Sequence, residues 1–401
     1  MYTYEEVVEK INQARRFGKE KGVDVTAKVL EKLNHPQKKI PYIHVAGTNG
    51  KGSTCAFLTA MLRQAGYKVG TFISPHLIEF EERIRMNDAY IPKEKVREYG
   101  NFLFSTDFGV ELTMFDYCLV MAVLFFSDEA CDVAVIETGL GGTFDSTNAL
   151  GTPVATVITR IGFDHMSILG NTLGEIAGQK AGILRKDVPL VLGLQEKEAR
   201  ESILSCADKV GSTPVVEVTA EDLEEVKKIG PGLLGEYQYE NGALAMLTAR
   251  CLKLDEEAVR TGIRHANWMG RMEILSRKPF LLVDGAHNSN GVAALISSLE
   301  GLYPGEKFHF IMGVMADKDY PEMIEKILPF ASDFVTVTPE SSRALQAREL
   351  AECIAQKGID VKSVSSVEEA LDTMEESYKT VVFGSLYFIG EVEEYWKNRK
   401  L

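Results

Sequence analysis

Apolar positions recur in two rhythms along this 401-residue chain. Short runs in which most residues are apolar occur at Ile40–Ala46 (IPYIHVA), Lys68–Ile73, Asp132–Ile136 (DVAVI), Pro153–Thr159 and Val188–Leu192. Their length and β-branched content predict strands covered on both faces. Between them lie stretches with helical spacing. Ser53–Ala65, for example, places Ala56, Phe57, Ala60, Met61 and Ala65 at helical spacing. Strand and helix in alternation predict a mainly parallel sheet with helices on both sides. A second series begins near residue 280, with strand-like runs at Phe280–Val283, Phe308–Met312, Phe334–Val337 and Thr380–Phe383. Two helical stretches, roughly 238–253 and 255–264, precede the short segment Asn267–Arg271. The expected fold is α/β: a P-loop mononucleotide-binding parallel-sheet domain over 1–270, then a smaller Rossmann-like α/β domain over 271–401.

Composition narrows the function. Forty-four Lys and Arg against 58 Asp and Glu give a formal charge of −14. That balance argues against nucleic-acid binding, whose affinity comes largely from neutralised phosphates, and against a polybasic membrane surface. It leaves anionic small molecules open, because a local cation cluster can override the global field. The first 20 residues carry acids early and have no apolar core, unlike a signal peptide. No run of about 18 apolar residues suggests a membrane span. Six cysteines lie far apart without a CxxC pair, which predicts buried free thiols and a cytoplasmic location.

The strongest local signal joins strand to helix through Gly47-Thr48-Asn49-Gly50-Lys51-Gly52-Ser53-Thr54. Such a turn converges backbone N–H groups on a phosphate at a helix N-terminus. Lys51 would reach the terminal phosphates, and a hydroxyl of Ser53 or Thr54 could ligate Mg²⁺. The general P-loop pattern is not met strictly, since Val45 and Gly52 stand at two of its defining positions; a glycine-rich turn without function is the alternative. Glu137 ends the strand DVAVI at the edge where parallel sheets bind ligands, and its carboxylate suits Mg²⁺. Asp164-His165 follows the next strand on the same edge. Lys180 lies in a helical segment, Leu173–Leu184, that reads as a surface helix. Arg271 could form an interdomain salt bridge or stabilise a transferring phosphoryl group. Asp284-Gly285-Ala286-His287-Asn288 repeats strand-to-turn-to-helix logic, and Ser74, His76, Arg83 and Arg85 follow the second strand.

Taken with Leu33-Asn34-His35-Pro36-Gln37, Ser74-Pro75-His76-Leu77, Glu82-Arg83-Ile84, Glu137-Thr138-Gly139-Leu140-Gly141-Gly142, Asp164-His165, Lys180-Ala181-Gly182, Gly270-Arg271-Met272-Glu273, Asp284 to Asn288 and Gly384-Ser385-Leu386-Tyr387, the loop AGTNGKGST resembles the folylpolyglutamate synthase/dihydrofolate synthase branch of the Mur ligase superfamily. The matches run in order from about residue 33 to 390. The resemblance implies an ATP-binding domain with a folate site, followed by a glutamate-ligase domain. It further implies Mg²⁺ held by Ser53, Glu137 and His165, with a second metal placed through a carbamylated Lys180. Arg271, Asp284 and His287 would contact the nucleotide, which would be closed between the domains, and Ser74, His76 and Arg83 would lie on the substrate side. The implied partners are ATP, L-glutamate and a reduced folate or dihydropteroate, and the implied state is a monomer.

The expected reaction is amide formation. The acceptor carboxylate attacks the γ-phosphate, and glutamate then displaces phosphate from the acyl phosphate. Lys51, Arg271 and Mg²⁺ would neutralise charge. A peptidoglycan-precursor ligase would carry an additional amino-terminal domain, for which the roughly 40 residues before the loop are too few. Another Mur-type amide ligase and a P-loop ATPase switch are the remaining alternatives. Two departures fall on the acceptor side. Thr143 and Asp145-Ser146-Thr147-Asn148 stand where the family has Arg and Asp-Ala-Thr-Asn, and Thr113-Met114-Phe115-Asp116 replaces Thr-x-Phe-Glu.

Overall fold

A computed structural model describes every residue except 16, 17, 19, 400 and 401. The chain forms two compact units. One comprises Met1–Gly232 with Tyr239–Asn267, the other Leu233–Gln238 with Trp268–Leu401. The apolar runs became strands because each is shielded on both faces. The first sheet contains β1 (Tyr42–Ala46), β2 (Val69–Phe72), β3 (Ile84–Met86), β4 (Ala89–Tyr90), β5 (Val133–Glu137), β6 (Ala155–Ile158), β7 (Leu190–Leu192) and β8 (Val215–Glu217). Its spatial order is β4-β3-β2-β5-β1-β6-β7-β8. The pairs from β2 through β8 are parallel, whereas β3 and β4 add an antiparallel edge. All five residues of β1 are buried, as a central strand between helix layers requires. One layer packs Phe72, Ile84, Leu119 and Phe126 together; the other packs Ile158, Ile176, Leu190 and Ile203.

In the second unit β9 (Glu273–Arg277), β10 (Phe280–Val283), β11 (Phe308–Met312), β12 (Ala331–Thr336), β13 (Val361–Ser363) and β14 (Lys379–Phe383) form a sheet of order β13-β12-β11-β14-β10-β9. Only the β10–β9 pair is antiparallel. Leu282 faces one core and its neighbours Leu281 and Val283 the other, which is the period-2 alternation of a doubly covered strand.

Three differences from the sequence reading have local causes. β12 begins at Ala331, earlier than the apolar run at Phe334, because Ala331 and polar Asp333 already pair with Phe308 and His309 of β11, the register skipping Ser332. The helix expected over 173–184 stops at Lys180 and tightens into a 3-10 turn over Ala181–Ile183. Of the six cysteines, all free, Cys55, Cys118 and Cys131 are buried, but Cys206, Cys251 and Cys353 are only half-buried. Among the described residues no helix is long and apolar enough to cross a membrane.

Candidate active site

β1 ends at Ala46, and the chain turns through Gly47–Gly50 into the helix Lys51–Gln64. Both terminal glycines of that turn are sterically required. Gly47 (φ +149°) and Gly50 (φ +91°) lie in the left-handed range, and a Cβ would overlap Thr159 Oγ1 at the first and Asn241 Oδ1 at the second. The segment that follows β6 braces the loop: Thr48 N and Asn49 N donate to Arg160 O (3.0 and 3.3 Å), and Thr159 Oγ1 donates to Asn49 O (2.7 Å). Ser53 and Thr54, in the first helical turn, are buried. Thr159 and Asn241 escaped the sequence reading because nothing in their spacing signals contact with a loop over 100 residues away.

Lys51 Nζ donates to Thr48 O (3.2 Å) and lies 3.7 Å from Glu137 Oε1. Glu137 Oε2 accepts from Ser74 N at 3.3 Å. The carboxyl ends of β1, β2 and β5 therefore meet in one set of contacts, as register dictates for adjacent parallel strands. Lys180, read from periodicity as a surface lysine, is instead only 5% exposed. The short helix ends against the loop, and Nζ donates to Gly47 O at 2.7 Å. Burial, reinforced by the neighbouring Lys51 charge, pulls the Lys180 amine down to about 7, partly opposed by Asp164 and Asp145. His165 sits at φ +51°, with its N–H donating to Asp164 Oδ1 (2.9 Å) and its Nε2 3.9 Å from the same oxygen.

Ser74 and His76 occupy the half-buried segment after β2. Glu82 shapes that segment by accepting from Leu77, Ile78 and Glu79 N–H groups (2.7, 2.9 and 2.8 Å), a function the sequence did not reveal. Buried Arg83 donates from Nε to His76 Nδ1 at 2.7 Å. Burial and then the Arg83 charge push His76 down to about 3, so its ring is neutral with the proton on Nε2. Arg85 donates to Glu82 O and lies over the Tyr90 ring.

The oxygen donors around the loop suit Mg²⁺. Glu137 and the Ser53 and Thr54 hydroxyls are hard oxygen donors, and Thr54 Oγ1 is buried without a hydrogen-bond partner. They fit a cation that completes its shell with water and phosphate oxygens. No group of three His, Cys, Asp or Glu suited to a metal occurs among the described residues.

The second unit has its own strand-to-helix turn. Asp284, at the end of β10, is buried, and its carboxylate is occupied. Oδ2 accepts from Tyr237 Oη (2.7 Å) and Met272 N (2.9 Å), and Oδ1 from Ala286 N (2.9 Å). It thereby fixes the Gly270–Met272 turn that carries Arg271. The Arg271 guanidinium passes over Gly285, where a Cβ would come within 2.7 Å of Nη1. His287 Nδ1 is 2.8 Å from Gly285 O, and Asn288 caps the helix Ser289–Leu302. Tyr237 was invisible to sequence reasoning, since it reads as an ordinary first-turn helical residue.

The pattern of the Mur ligase middle domain matches residues 45–225, and that of the Mur ligase glutamate ligase domain matches 270–385. A curated dihydrofolate synthase/folylpolyglutamate synthase of Bacillus subtilis is 34% identical over 98% of this chain and 99% of its own length. The chain belongs to the folylpolyglutamate/dihydrofolate synthase family. Two solved members of that family superpose over nearly the full length. An E. coli FolC in complex with DHPP and ADP has a TM-score of 0.89 and 28% identity, covering 100% of this chain and 99% of that one. A bifunctional folylpolyglutamate synthase/dihydrofolate synthase with Mn, AMPPNP and L-glutamate bound gives 0.85 and 25%, covering 99% and 98%. The P-loop, Glu137 and Lys180 lie within the matched middle domain, Arg271, Asp284 and His287 within the matched ligase domain.

Proposed function

We propose that this chain is an ATP-dependent ligase that joins L-glutamate to a folate, releasing ADP and phosphate, and that dihydropteroate is a second acceptor. The observation that carries the reading is the convergence of Lys51, Glu137 and Ser74 at the carboxyl edge of the first sheet, in a chain with full-length kinship to folylpolyglutamate/dihydrofolate synthases. The loop N–H groups and the helix Lys51–Gln64 bind the phosphates. Lys51 leaves Glu137 for the terminal phosphate and neutralises charge as the acceptor carboxylate attacks it. Ser53, Glu137 and His165 would hold a divalent cation, which would offset phosphate charge. The acyl phosphate then reacts with the glutamate amine, and no side-chain nucleophile is needed. Ser74, His76 and Arg83 bind on the substrate side, where the neutral His76 ring orients the guanidinium beside it.

Arg271, Asp284 and His287 belong to the nucleotide in this proposal. Arg271 acts directly, and Asp284 acts by fixing the turn that presents it. Lys180 is assigned a carbamate that places a second cation. A buried amine brought down to about 7 has the neutral fraction that reaction with CO₂ requires. ¹³C-bicarbonate labelling should give a carbamate resonance that disappears in K180M; its absence in the unsubstituted protein removes the second cation site.

The deciding experiment measures ADP release with and without glutamate and with dihydropteroate or tetrahydrofolate. Release should depend on both glutamate and a folate acceptor, and K51A should lower it by roughly 10³-fold. Release independent of both would instead indicate an ATPase switch. No release with either folate would instead point to a different carboxylate acceptor.

A further inference from the structure

Of the three residues that depart from the family pattern on the acceptor side, Asp116 for Glu and Ser146 for Ala are the two ends of one hydrogen bond, whereas Thr143 Oγ1 donates elsewhere, to Gln179 O. Ser146 Oγ donates to Asp116 Oδ1 at 2.5 Å. Asp116 is fully buried, and its carboxylate collects four donors. Oδ2 accepts from Thr113 N (2.8 Å) and Thr113 Oγ1 (2.6 Å), forming the capping box of the helix Met114–Asp128. Oδ1 accepts from Thr26 Oγ1 (2.9 Å), on the helix Gly22–Lys32, as well as from Ser146. One carboxylate thus ties two helices to the 3-10 turn Ser146–Leu150.

That turn leads back to the catalytic edge. Asp145, next to Ser146, accepts from Leu140 N (2.8 Å) and Thr147 N (3.0 Å) and closes the glycine-rich loop that leaves Glu137. His44, buried in β1, holds Thr147 Oγ1 through Nε2 at 2.8 Å. A glutamate at 116 would carry its carboxylate about 1.5 Å further, into the volume of the Ser146 hydroxyl. An alanine at 146 opposite Asp116 would leave Oδ1 one donor short beside a small void. Gly22 leaves space for this arrangement, since a Cβ there would come 2.5 Å from Ser146 Oγ.

We propose that Asp116 and Ser146 are a coupled pair of positioning residues that sets the Leu140–Asn148 turn for the folate acceptor. The pair does not touch the reacting atoms, and its role rests on the ligase reading above. The test compares D116E, S146A and D116E/S146A in the full chain by urea unfolding and by steady-state kinetics. Each single substitution should lower the unfolding midpoint and raise the KM for the folate acceptor about tenfold, with the KM for ATP unchanged. The double variant should recover most of both losses. Additive losses in the double variant, or KM values for ATP and folate that rise together, would overturn the pairing. Should D116E fail to fold, S146A alone must still show the acceptor-selective KM shift, and its absence refutes the role. Unsubstituted protein without folate-dependent turnover would mark failure of the ligase reading instead. Active protein with uncoupled variants marks failure of this inference alone.

Discussion

Lys180 carries the most consequential departure from an ordinary side chain. With CO₂ excluded, so that no carbamate forms, burial disfavours the ammonium and brings the folded protein's Lys180 amine down to about 7, against an ordinary value of 10.5. Below pH 7 both folded and unfolded chains are protonated, and the full cost of burying the charge is present. Between 7 and 10.5 the unfolded chain binds more protons, so this group makes stability rise with pH; above 10.5 the cost is gone. K180M should therefore exceed the unsubstituted protein in stability at pH 6, with the gap narrowing steadily towards pH 10. Urea midpoints across that range provide the check, and a gap that does not change with pH would show that no buried amine titrates. The sequence presented Lys180 as one more helical lysine. Its burial depends on where the helix after β6 ends, and spacing along one chain cannot encode that.

At the scale of the element, the phosphate loop shows why some glycines matter more than others. Gly50 and Gly66 both have positive φ, +91° and +89°, but only at Gly50 would a Cβ overlap another residue, Asn241; around Gly66 nothing lies within 4 Å. G66A should cost only the backbone strain, roughly 1 kcal/mol, and retain full ADP release. G50A should incur the same strain and also displace the loop, so nucleotide affinity should fall at least tenfold when measured by calorimetry. Equal behaviour of the two variants would deny the loop its role. The strand–turn–helix context was legible because a buried strand, a glycine-rich turn and an amphipathic helix each leave a local signature. The antiparallel edge formed by β3 and β4 was not, since three- and two-residue strands have too few positions to display a period.

On the scale of the whole molecule, the compact units do not follow chain order. Leu233–Gln238 belongs with the second unit although it precedes the helix Glu256–His265 of the first. The reason is chemical: Tyr237 Oη supplies Asp284, and Glu236 N donates to Ser298 Oγ at 3.0 Å. Y237F should cost about 1–1.5 kcal/mol by removing a donor from a buried carboxylate. A fragment beginning at residue 268 should show faster amide exchange at Asp284–Asn288 than the full chain. Unchanged exchange would mean that the early segment is dispensable to that turn.

The sequence by itself determined the α/β class, the central strands, the phosphate loop and the order of motifs that marks the family. These follow from local periodicity and from residue types that only one chemistry needs together. Tertiary structure decided what burial and long-range contact control. It placed Glu137 beside Lys51, sealed Lys180 against Gly47, filled the Asp284 carboxylate with donors from three segments, and joined Asp116 to Ser146. Each of these depends on distances between residues far apart in the chain, and such distances exist only once the sheets have set their register. The net charge of −14 follows the same division: composition fixes its sum, but only the fold brings the cations Lys51 and Lys180 together at one loop.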